Sequence, residues 1–287
     1  MVLAIWKPGA MAGPADAPKR QTIGKKRLPL IILSHGTGAG PMAHVDTAEA
    51  LAGAGFVVAA PLHRGDNFQD QSNVGRRQWM ASRSSDVSDV IDYMLTAWTG
   101  HAAIDPARIG IFGFSAGGTT ALVAIGGVPD PKRLEAHCRD KREFVCNLML
   151  PESADPATSP EWKHDSRIAA AVVAAPGLGF AFEPQGLSKV RVPVQLWSGA
   201  EDETVPYATN AAVVKRLLPR PPEFHSVDGA VHLSFLAPAD GDLLVVEATA
   251  LRHGKRTSFA EARLRVGDRL VATGEFAFHR VPDAAGR

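Results

Sequence analysis

The chain has 287 residues, 45% of them hydrophobic and 21% charged, which is typical of a globular protein. Its formal net charge of +1 gives no electrostatic reason to expect nucleic acid as a partner, and no apolar run reaches the roughly 18 residues of a membrane span. The apolar stretch before Lys7 is too short for a signal peptide, so the sequence is compatible with a cytoplasmic protein and with an exported one whose leader is not in this chain.

Up to about residue 238 the chain alternates apolar strand patterns with helical patterns. The predicted strands are 2–7, 30–33, 56–60, 108–112, 168–175, 192–198 and 223–227. The predicted helices lie at 44–54, after an N-cap at Ser84 or Ser85, at 117–126 and near 206–218. Strands that alternate with helices predict an α/β fold with a mostly parallel sheet and helices on both faces.

Residues 127–165 interrupt this alternation with five prolines, mixed charges and two cysteines, Cys138 and Cys146. We interpret them as an insertion that forms a lid or a pocket wall. The cysteines close a small disulfide loop if the protein is exported, or are free thiols if it is cytosolic, and the sequence leaves both alternatives open. Four ligands at the spacing of a zinc site are missing, so no metal is predicted.

From Asp240 the pattern changes to three predicted strands, 243–250, 257–266 and 269–278, which are separated by short polar turns. In the second and third of them, apolar residues alternate with polar ones. This alternation predicts a β-meander rather than a further strand–helix unit.

The segment 113–117, Gly-Phe-Ser-Ala-Gly, lies between a predicted strand and a predicted helix. Small residues on both sides allow a tight turn that exposes the hydroxyl of Ser115, which is the pattern of a nucleophile elbow. The alternative is a glycine-rich turn that merely starts a core helix. Residues further along the chain favour the nucleophile.

A serine hydroxyl needs a neighbouring base, itself oriented by an acid, to act as a nucleophile at neutral pH. Such groups stand on loops at the carboxyl edge of a parallel sheet, in the chain order serine, acid, histidine. Asp202 is the predicted acid, with Glu201 and Glu203 as alternatives, and His232 is the predicted base. In this scheme Ser115 attacks a carbonyl carbon, His232 accepts and returns the proton, and Asp202 orients the imidazole. The histidines that compete less well, because they precede the serine, are His35, His44 and His63.

The oxyanion that forms during such an attack needs preorganised N–H donors. We expect one donor from the backbone of Ala116 and the other from Thr37, in the glycine-rich loop 34–40. That loop lacks the Lys-Ser/Thr pair of a phosphate-binding P-loop, so it is not interpreted as a nucleotide site.

Aromatic residues near the predicted site are candidates for an apolar acyl or aryl pocket. The predicted substrate-binding residues are Phe114, His63 and Phe180, and further aromatic candidates are Phe68, Trp79 and Phe182. The alternative is core packing, the commoner fate of an aromatic side chain. The chemistry requires neither a metal nor an organic cofactor, and none is predicted.

From about Val2 to Pro238 the chain resembles the α/β-hydrolase superfamily, and within it the predicted dienelactone hydrolases related to bacterial platelet-activating-factor acetylhydrolases. The stretches that carry the resemblance are 5–8, 33–36, 57–61, 104–110, 113–117 and 231–236. The resemblance implies a catalytic domain over residues 1–238 and a serine esterase with the site residues given above. Dienelactone hydrolase itself has a cysteine nucleophile, so Ser115 favours ordinary ester hydrolysis.

Residues 239–287 resemble the C-terminal half of a hotdog-fold acyl-CoA thioesterase, on the stretches 235–243, 254–256 and 270–274. The long hotdog helix and the catalytic residue that it carries have no counterpart in this sequence, so no thioesterase site is transferred. The exposed sheet face must be covered by the hydrolase body or by a second chain, and three interpretations stay open: a fusion accident, a natural appendage, and a sheet that pairs two copies into a homodimer.

The sequence as a whole predicts a serine carboxylesterase that hydrolyses small short-chain acyl or aryl esters through an acyl-enzyme. Alternatives on the same triad are a polyester or lactone hydrolase and, because of the tail, an acyl-CoA thioesterase. The non-enzyme alternative is a hydrolase-like binding or assembly protein whose triad is idle.

Overall fold

The computed structural model describes residues 2–8, 27–141, 143–149, 161–236, 244–253, 257–266 and 269–279, the last three ranges as backbone only. The chain divides into two compact units, Met1–Leu236 and Ala237–Arg287. Among the described residues, no helix is both long and apolar enough to cross a lipid bilayer.

The first unit is built on a seven-stranded sheet. Its strands are β1 (Leu3–Trp6), β2 (Leu28–Ser34), β3 (Val57–Pro61), β4 (Ile104–Phe114), β5 (Ile168–Ala174), β6 (Val194–Gly199) and β7 (Glu223–Val227). Their order is β1-β3-β2-β4-β5-β6-β7, with β1 antiparallel to β3 and the other neighbouring pairs parallel. The prediction of an α/β fold with a mostly parallel sheet is confirmed.

Strand β2 lies between β3 and β4, so the chain leaves β2 toward one side of the sheet and then adds β4 and the later strands on the other side. In open α/β sheets a crevice forms at such a point, beyond the carboxyl ends of the strands. Ser34, the last residue of β2, is paired in register with Gly113 near the end of β4. The loops that follow these two strands therefore meet at the same edge of the sheet.

Helices flank this sheet in the described part of the chain. They are α1 (Val45–Gly53), α2 (Trp79–Thr96), α3 (Ala116–Ala124), α4 (Pro131–Asp140), α5 (Pro184–Leu187) and α6 (Ala211–Leu217). On α2, completely buried apolar residues recur at helical spacing and pack in the main core with the strands; they are Val87, Val90, Ile91 and Met94. The amphipathic helix expected in this region is confirmed.

Helix α2 begins at Trp79, earlier than predicted. The predicted N-cap at Ser84 or Ser85 is wrong, because both hydroxyls lie inside the helix and donate to the carbonyl oxygen of Ala81, at 2.8 and 3.2 Å. The indole N–H of Trp79 donates to Asp66 Oδ2 at 2.5 Å. This contact comes from tertiary structure, and the local sequence pattern does not contain it.

The predicted insertion contains α4 and a 3-10 turn at Phe144–Asn147. A disulfide joins Cys138 in α4 to Cys146 in the turn, so the two cysteines are bonded to each other and are not free thiols. The turn is also tied to the start of α6, because the side-chain amide of Asn210 donates to Glu143 Oε2 at 3.2 Å. A covalent bond and a hydrogen bond thus hold this part of the insertion in place.

The second unit contains a three-stranded sheet of β8 (Leu244–His253), β9 (Thr257–Val266) and β10 (Arg269–His279). The strands pair antiparallel in the order β10-β9-β8, so each strand lies beside its neighbour in sequence. The predicted β-meander is confirmed. The resemblance of this unit to half of a hotdog fold stays a prediction.

Candidate active site

Ser115 stands at the turn between β4 and α3. Its backbone has φ 57° and ψ −119°, and a residue with a side chain adopts a positive φ only under strain that the surrounding structure maintains. The Ser115 N–H donates to the carbonyl oxygen of Ala174 in β5 at 3.0 Å. A strained serine between a strand and a helix is the geometry of a nucleophile elbow.

Glycines at 113 and 117 allow the close backbone packing that this turn requires. A Cβ at Gly113 would lie 2.0 Å from the carbonyl oxygen of Gly117, and a Cβ at Gly117 would lie 2.0 Å from that of Ser34 in β2. Both obstacles are backbone atoms, which cannot move without shifting β2 or α3. Steric exclusion therefore explains why both positions are glycine.

We expect Gly117→Ala to destabilise the protein by about 3 kcal/mol or more, because its Cβ would overlap the Ser34 carbonyl oxygen. Gly53→Ala, at the end of α1, is the matched control. A Cβ there would meet nothing within 4 Å, and alanine is the better helix former, so we expect a small gain of up to about 1 kcal/mol. Urea unfolding followed by circular dichroism measures both, and equal stability of the two variants would contradict the packing described.

Ser115, His232 and Asp202 come together from three separate loops. His232 Nε2 lies 3.0 Å from Ser115 Oγ, and His232 Nδ1 lies 2.7 Å from Asp202 Oδ2. The side chains of His232 and Asp202 are 10% and 0% exposed, so their contact is shielded from water. A hydroxyl, an imidazole and a carboxylate in this series can pass a proton from the hydroxyl to the ring while the carboxylate holds the Nδ1–H.

Asp202 is oriented by its own loop. Its Oδ1 accepts the backbone N–H of Val205 at 2.8 Å, which leaves Oδ2 for the imidazole. Glu201 and Glu203, the alternative acids, are exposed. The Glu201 N–H donates to the carbonyl oxygen of Ala230 at 3.1 Å, so the loops after β6 and β7 hold each other in position.

Thr37 and Ala116 lie beside Ser115 in the lining of the same pocket. The loop that carries Thr37 approaches closely, since a Cβ at Gly36 would lie 3.4 Å from Ser115 Cβ. Among the described residues, no acceptor takes the backbone N–H of Thr37 or Ala116. Two such N–H groups next to a serine hydroxyl can stabilise negative charge on a bound oxygen atom.

An apolar pocket opens beside Ser115, Thr37 and Ala116. Its remaining lining comes from the start of α2, the bridged insertion and the loops after β5 and β6, in the residues Trp79, Met80, Phe144, Val145, Leu148, Gly177, Leu178 and Val205. Of these, Trp79 was already an aromatic candidate in the sequence. The other lining residues have no sequence pattern that distinguishes them from ordinary core residues. They come together only in the folded chain, so the sequence did not predict them as pocket residues. This lining suits an acyl chain or an aryl ring.

His63, a predicted substrate contact, is completely buried and does not line this pocket. Its Nε2 lies 2.9 Å from Ser34 Oγ and its Nδ1 lies 3.1 Å from Asp86 Oδ2. Burial lowers the pKa of His63 well below its ordinary value, and the charges of Arg83 and Arg64 lower it further, which favours the neutral ring. We correct the expectation: His63 belongs to a polar network inside the core.

Phe114 and Phe180 also lie outside the pocket lining, and core packing describes both. Phe114 is 3% exposed, and its ring packs against the imidazole of His232 with a centroid distance of 4.7 Å. Phe180 stacks on His137 of α4 with a centroid distance of 3.6 Å. The apolar surfaces of both rings are therefore buried against other side chains of the protein.

The chain matches the model of the prolyl oligopeptidase family, Peptidase_S9, over residues 44–133. The matched stretch contains the serine turn 113–117 and ends before Asp202 and His232. The match, the sheet order and the strained serine decide the class. The protein is a serine hydrolase with the α/β-hydrolase fold. No curated protein matches the chain.

Among solved structures, this serine hydrolase is similar to the thermophilic esterase Est2 from the Planctomycetes species Thermogutta terrifontis, which was determined with propionate bound. The two sequences are 22% identical, the similarity covers 80% of this chain and 79% of the esterase, and the TM-score is 0.49. Within the described residues of the hydrolase, no group of three or more histidine, cysteine or acidic side chains could hold a metal ion.

Proposed function

We propose that this serine hydrolase is a carboxylesterase that cleaves small short-chain acyl or aryl esters through an acyl-enzyme. The observation that carries the proposal is the hydrogen-bonded series of Ser115, His232 and Asp202, with distances of 3.0 and 2.7 Å. The N–H groups of Thr37 and Ala116 beside the hydroxyl, which no described residue accepts, support it, because acyl transfer needs both a nucleophile and donors for the oxyanion.

In the proposed mechanism, His232 Nε2 takes the proton as Ser115 Oγ attacks the ester carbonyl carbon. The N–H groups of Thr37 and Ala116 hold the oxyanion, and Asp202 stabilises the imidazolium. The tetrahedral intermediate collapses as His232 returns the proton to the departing alcohol, which leaves the acyl group on Oγ. Water, deprotonated by His232, then attacks the acyl-enzyme by the same route and releases the acid.

The proposed substrate class follows from the pocket beside the proposed nucleophile, in whose lining the described part of the chain places no charged side chain. Such a lining offers favourable burial to the apolar part of an ester, and none of its described residues offers a charged partner to an ionised group. Leu148 from the bridged insertion contributes to this lining. We infer that it limits the length of the acyl chain that fits.

To test this, kcat/KM is measured for p-nitrophenyl acetate, butyrate and octanoate, and for acyl-CoA and p-nitroanilide substrates with matched acyl groups. We expect the wild type to favour the two shorter esters. Leu148→Ala removes part of the pocket wall, so the ratio of octanoate to acetate should rise by about tenfold. Leu95→Ala is the matched control, because Leu95 is also half-buried but lies near the far end of α2.

Three outcomes would count against the proposal. A folded wild type that hydrolyses no ester overturns the esterase assignment. A higher kcat/KM for acyl-CoA than for the matched oxygen ester favours the thioesterase alternative. A chain-length ratio that is equal in Leu148→Ala and Leu95→Ala would mean that this pocket does not bind the acyl group.

A further inference from the structure

A buried ion pair lies beneath the loop that carries Thr37, and the proposed mechanism does not use it. Arg83 of α2 and Asp66, in the loop after β3, both have completely buried side chains, and Arg83 Nη1 donates to Asp66 Oδ2 at 2.5 Å. Burial lowers the pKa of Arg83, and the attraction of Asp66 opposes this shift. Arg83 and Asp66 each also form hydrogen bonds to other parts of the chain.

The pair holds the Thr37 loop on both sides of Thr37. Asp66 Oδ1 accepts the backbone N–H of Gly38 at 2.7 Å. Arg83 Nη2 donates to the carbonyl oxygen of His35. The Thr37 N–H belongs to the Gly36–Thr37 peptide, and the peptide units before and after it are the two that the pair anchors.

The same two side chains also reach the helix behind the nucleophile and the pocket wall. Arg83 Nε donates to Thr120 Oγ1 in α3 at 2.9 Å. Asp66 Oδ2 accepts the indole N–H of Trp79, which lines the pocket, at 2.5 Å. One buried ion pair therefore links the Thr37 loop, the helix that follows Ser115 and the pocket wall.

Stability alone does not account for such a pair. Removing two charges from water is costly, and well-packed apolar side chains of similar volume often stabilise a core equally well or better. What apolar side chains cannot supply is direction: a planar guanidinium with fixed N–H vectors and a carboxylate with two acceptor oxygens constrain the peptides that they bind.

We propose that Arg83 and Asp66 are a positioning pair that sets the direction of the Thr37 N–H toward the oxyanion. This inference rests on the proposed esterase function, in which Thr37 is an oxyanion donor. Neither side chain touches the substrate. The pair acts through the peptides on either side of Thr37, and it affects the transition state more than the bound ester, because charge on the oxygen develops only during attack.

The test compares Arg83→Lys and Asp66→Asn with the wild type. Lysine keeps a positive charge near Asp66 but cannot reach the His35 carbonyl, Thr120 and Asp66 with one rigid fork. We expect kcat to fall about a hundredfold with KM changed by less than about threefold, since a small misplacement of a donor acts on the chemical step. The Ki of a boronic acid that becomes tetrahedral on Ser115 should rise by the same factor as kcat/KM falls.

Arg167→Lys is the matched control. Arg167 also forms a two-point ion pair, with Asp165 at 2.8 and 2.5 Å, but it precedes β5 at the opposite edge of the sheet from Ser115. Its substitution should leave kcat and the boronic acid Ki unchanged. Because Arg167 is 35% exposed and Arg83 is completely buried, the stability of each variant is measured separately by urea unfolding.

The positioning role is overturned if the folded variants keep kcat within about threefold of the wild type, or if they raise KM alone. It is also overturned if neither variant folds, because the pair then serves the fold itself. A folded wild type that is inert toward esters and boronic acids would overturn the esterase function as well. An active wild type with unaffected variants overturns only the positioning role.

Discussion

Replacement of Ser115 by alanine is expected to lower kcat for p-nitrophenyl acetate by at least about ten-thousand-fold, to what oxyanion donors and binding alone can support. The lost hydroxyl is the group that His232 Nε2 contacts at 3.0 Å and the proposed carrier of the acyl group. A fluorophosphonate probe gives an independent measurement. By mass spectrometry, the wild type should gain one adduct on the Ser115 peptide, and the variant should gain none.

Ser226→Ala is the matched control for this prediction, since Ser226 is an exposed serine on β7. It should keep the wild-type kcat and the adduct on Ser115. Activity of Ser115→Ala above about 1% of the wild type, in a preparation free of other esterases, would contradict the assignment. An adduct on a different serine would identify that serine, and not Ser115, as the nucleophile.

Asp202→Asn should lower kcat by up to about ten-thousand-fold with a smaller effect on KM. The Val205 N–H binds Oδ1 at 2.8 Å, so the amide oxygen of asparagine should take that position and its NH2 group should face His232 Nδ1. An amide that donates to Nδ1 favours the tautomer with its proton on Nε2. That nitrogen then cannot accept the proton of Ser115.

Glu201→Gln is the matched control, because it removes an exposed carboxylate from the neighbouring position. It should keep the wild-type kcat. If Glu201→Gln lost activity and Asp202→Asn kept it, the acid would have to be reassigned. A neutron or NMR measurement of the His232 tautomer in Asp202→Asn would test the reason for the loss directly.

The turn at Ser115 could be predicted from the sequence because its causes are local. An apolar strand, small residues on both sides of the serine and a helical continuation all lie within a few residues of each other. The structure adds the steric reason, which is long-range: Gly117 packs against the Ser34 carbonyl oxygen at the end of β2. Packing against a strand that is distant in sequence thus explains why position 117 is a glycine, which the local sequence pattern had already indicated as part of a tight turn.

The positions of Asp202 and His232 could be predicted because topology limits where such groups stand. In a parallel sheet, the loops after successive strands reach the same edge, so an acid after β6 and a histidine after β7 meet a serine after β4. The choice among neighbouring acids depends on loop hydrogen bonds, such as the one from the Val205 N–H to Asp202 Oδ1.

The pocket and the polar core could not be predicted in the same way. The start of α2 depends on the bond from Trp79 to Asp66, and the burial of Phe180 depends on its stacking with His137. These contacts join segments that are far apart in sequence, and periodicity within one element does not report them. The expectation that His63 faces a substrate failed for the same reason, since its partners Ser34 and Asp86 complete its environment inside the core.

The bridge between Cys138 and Cys146 lies in the segment that contributes to the pocket wall, apart from the turn that carries Ser115. It closes the short segment that supplies Val145 to the pocket, with Leu148 just beyond it, while Ser115 stands at the turn between β4 and α3. A crosslinked wall is already ordered when the substrate arrives, so binding need not supply that ordering free energy. Under the proposed function, we therefore expect substitutions within this segment to change the acyl preference without disturbing Ser115, which makes the insertion a suitable place to engineer specificity.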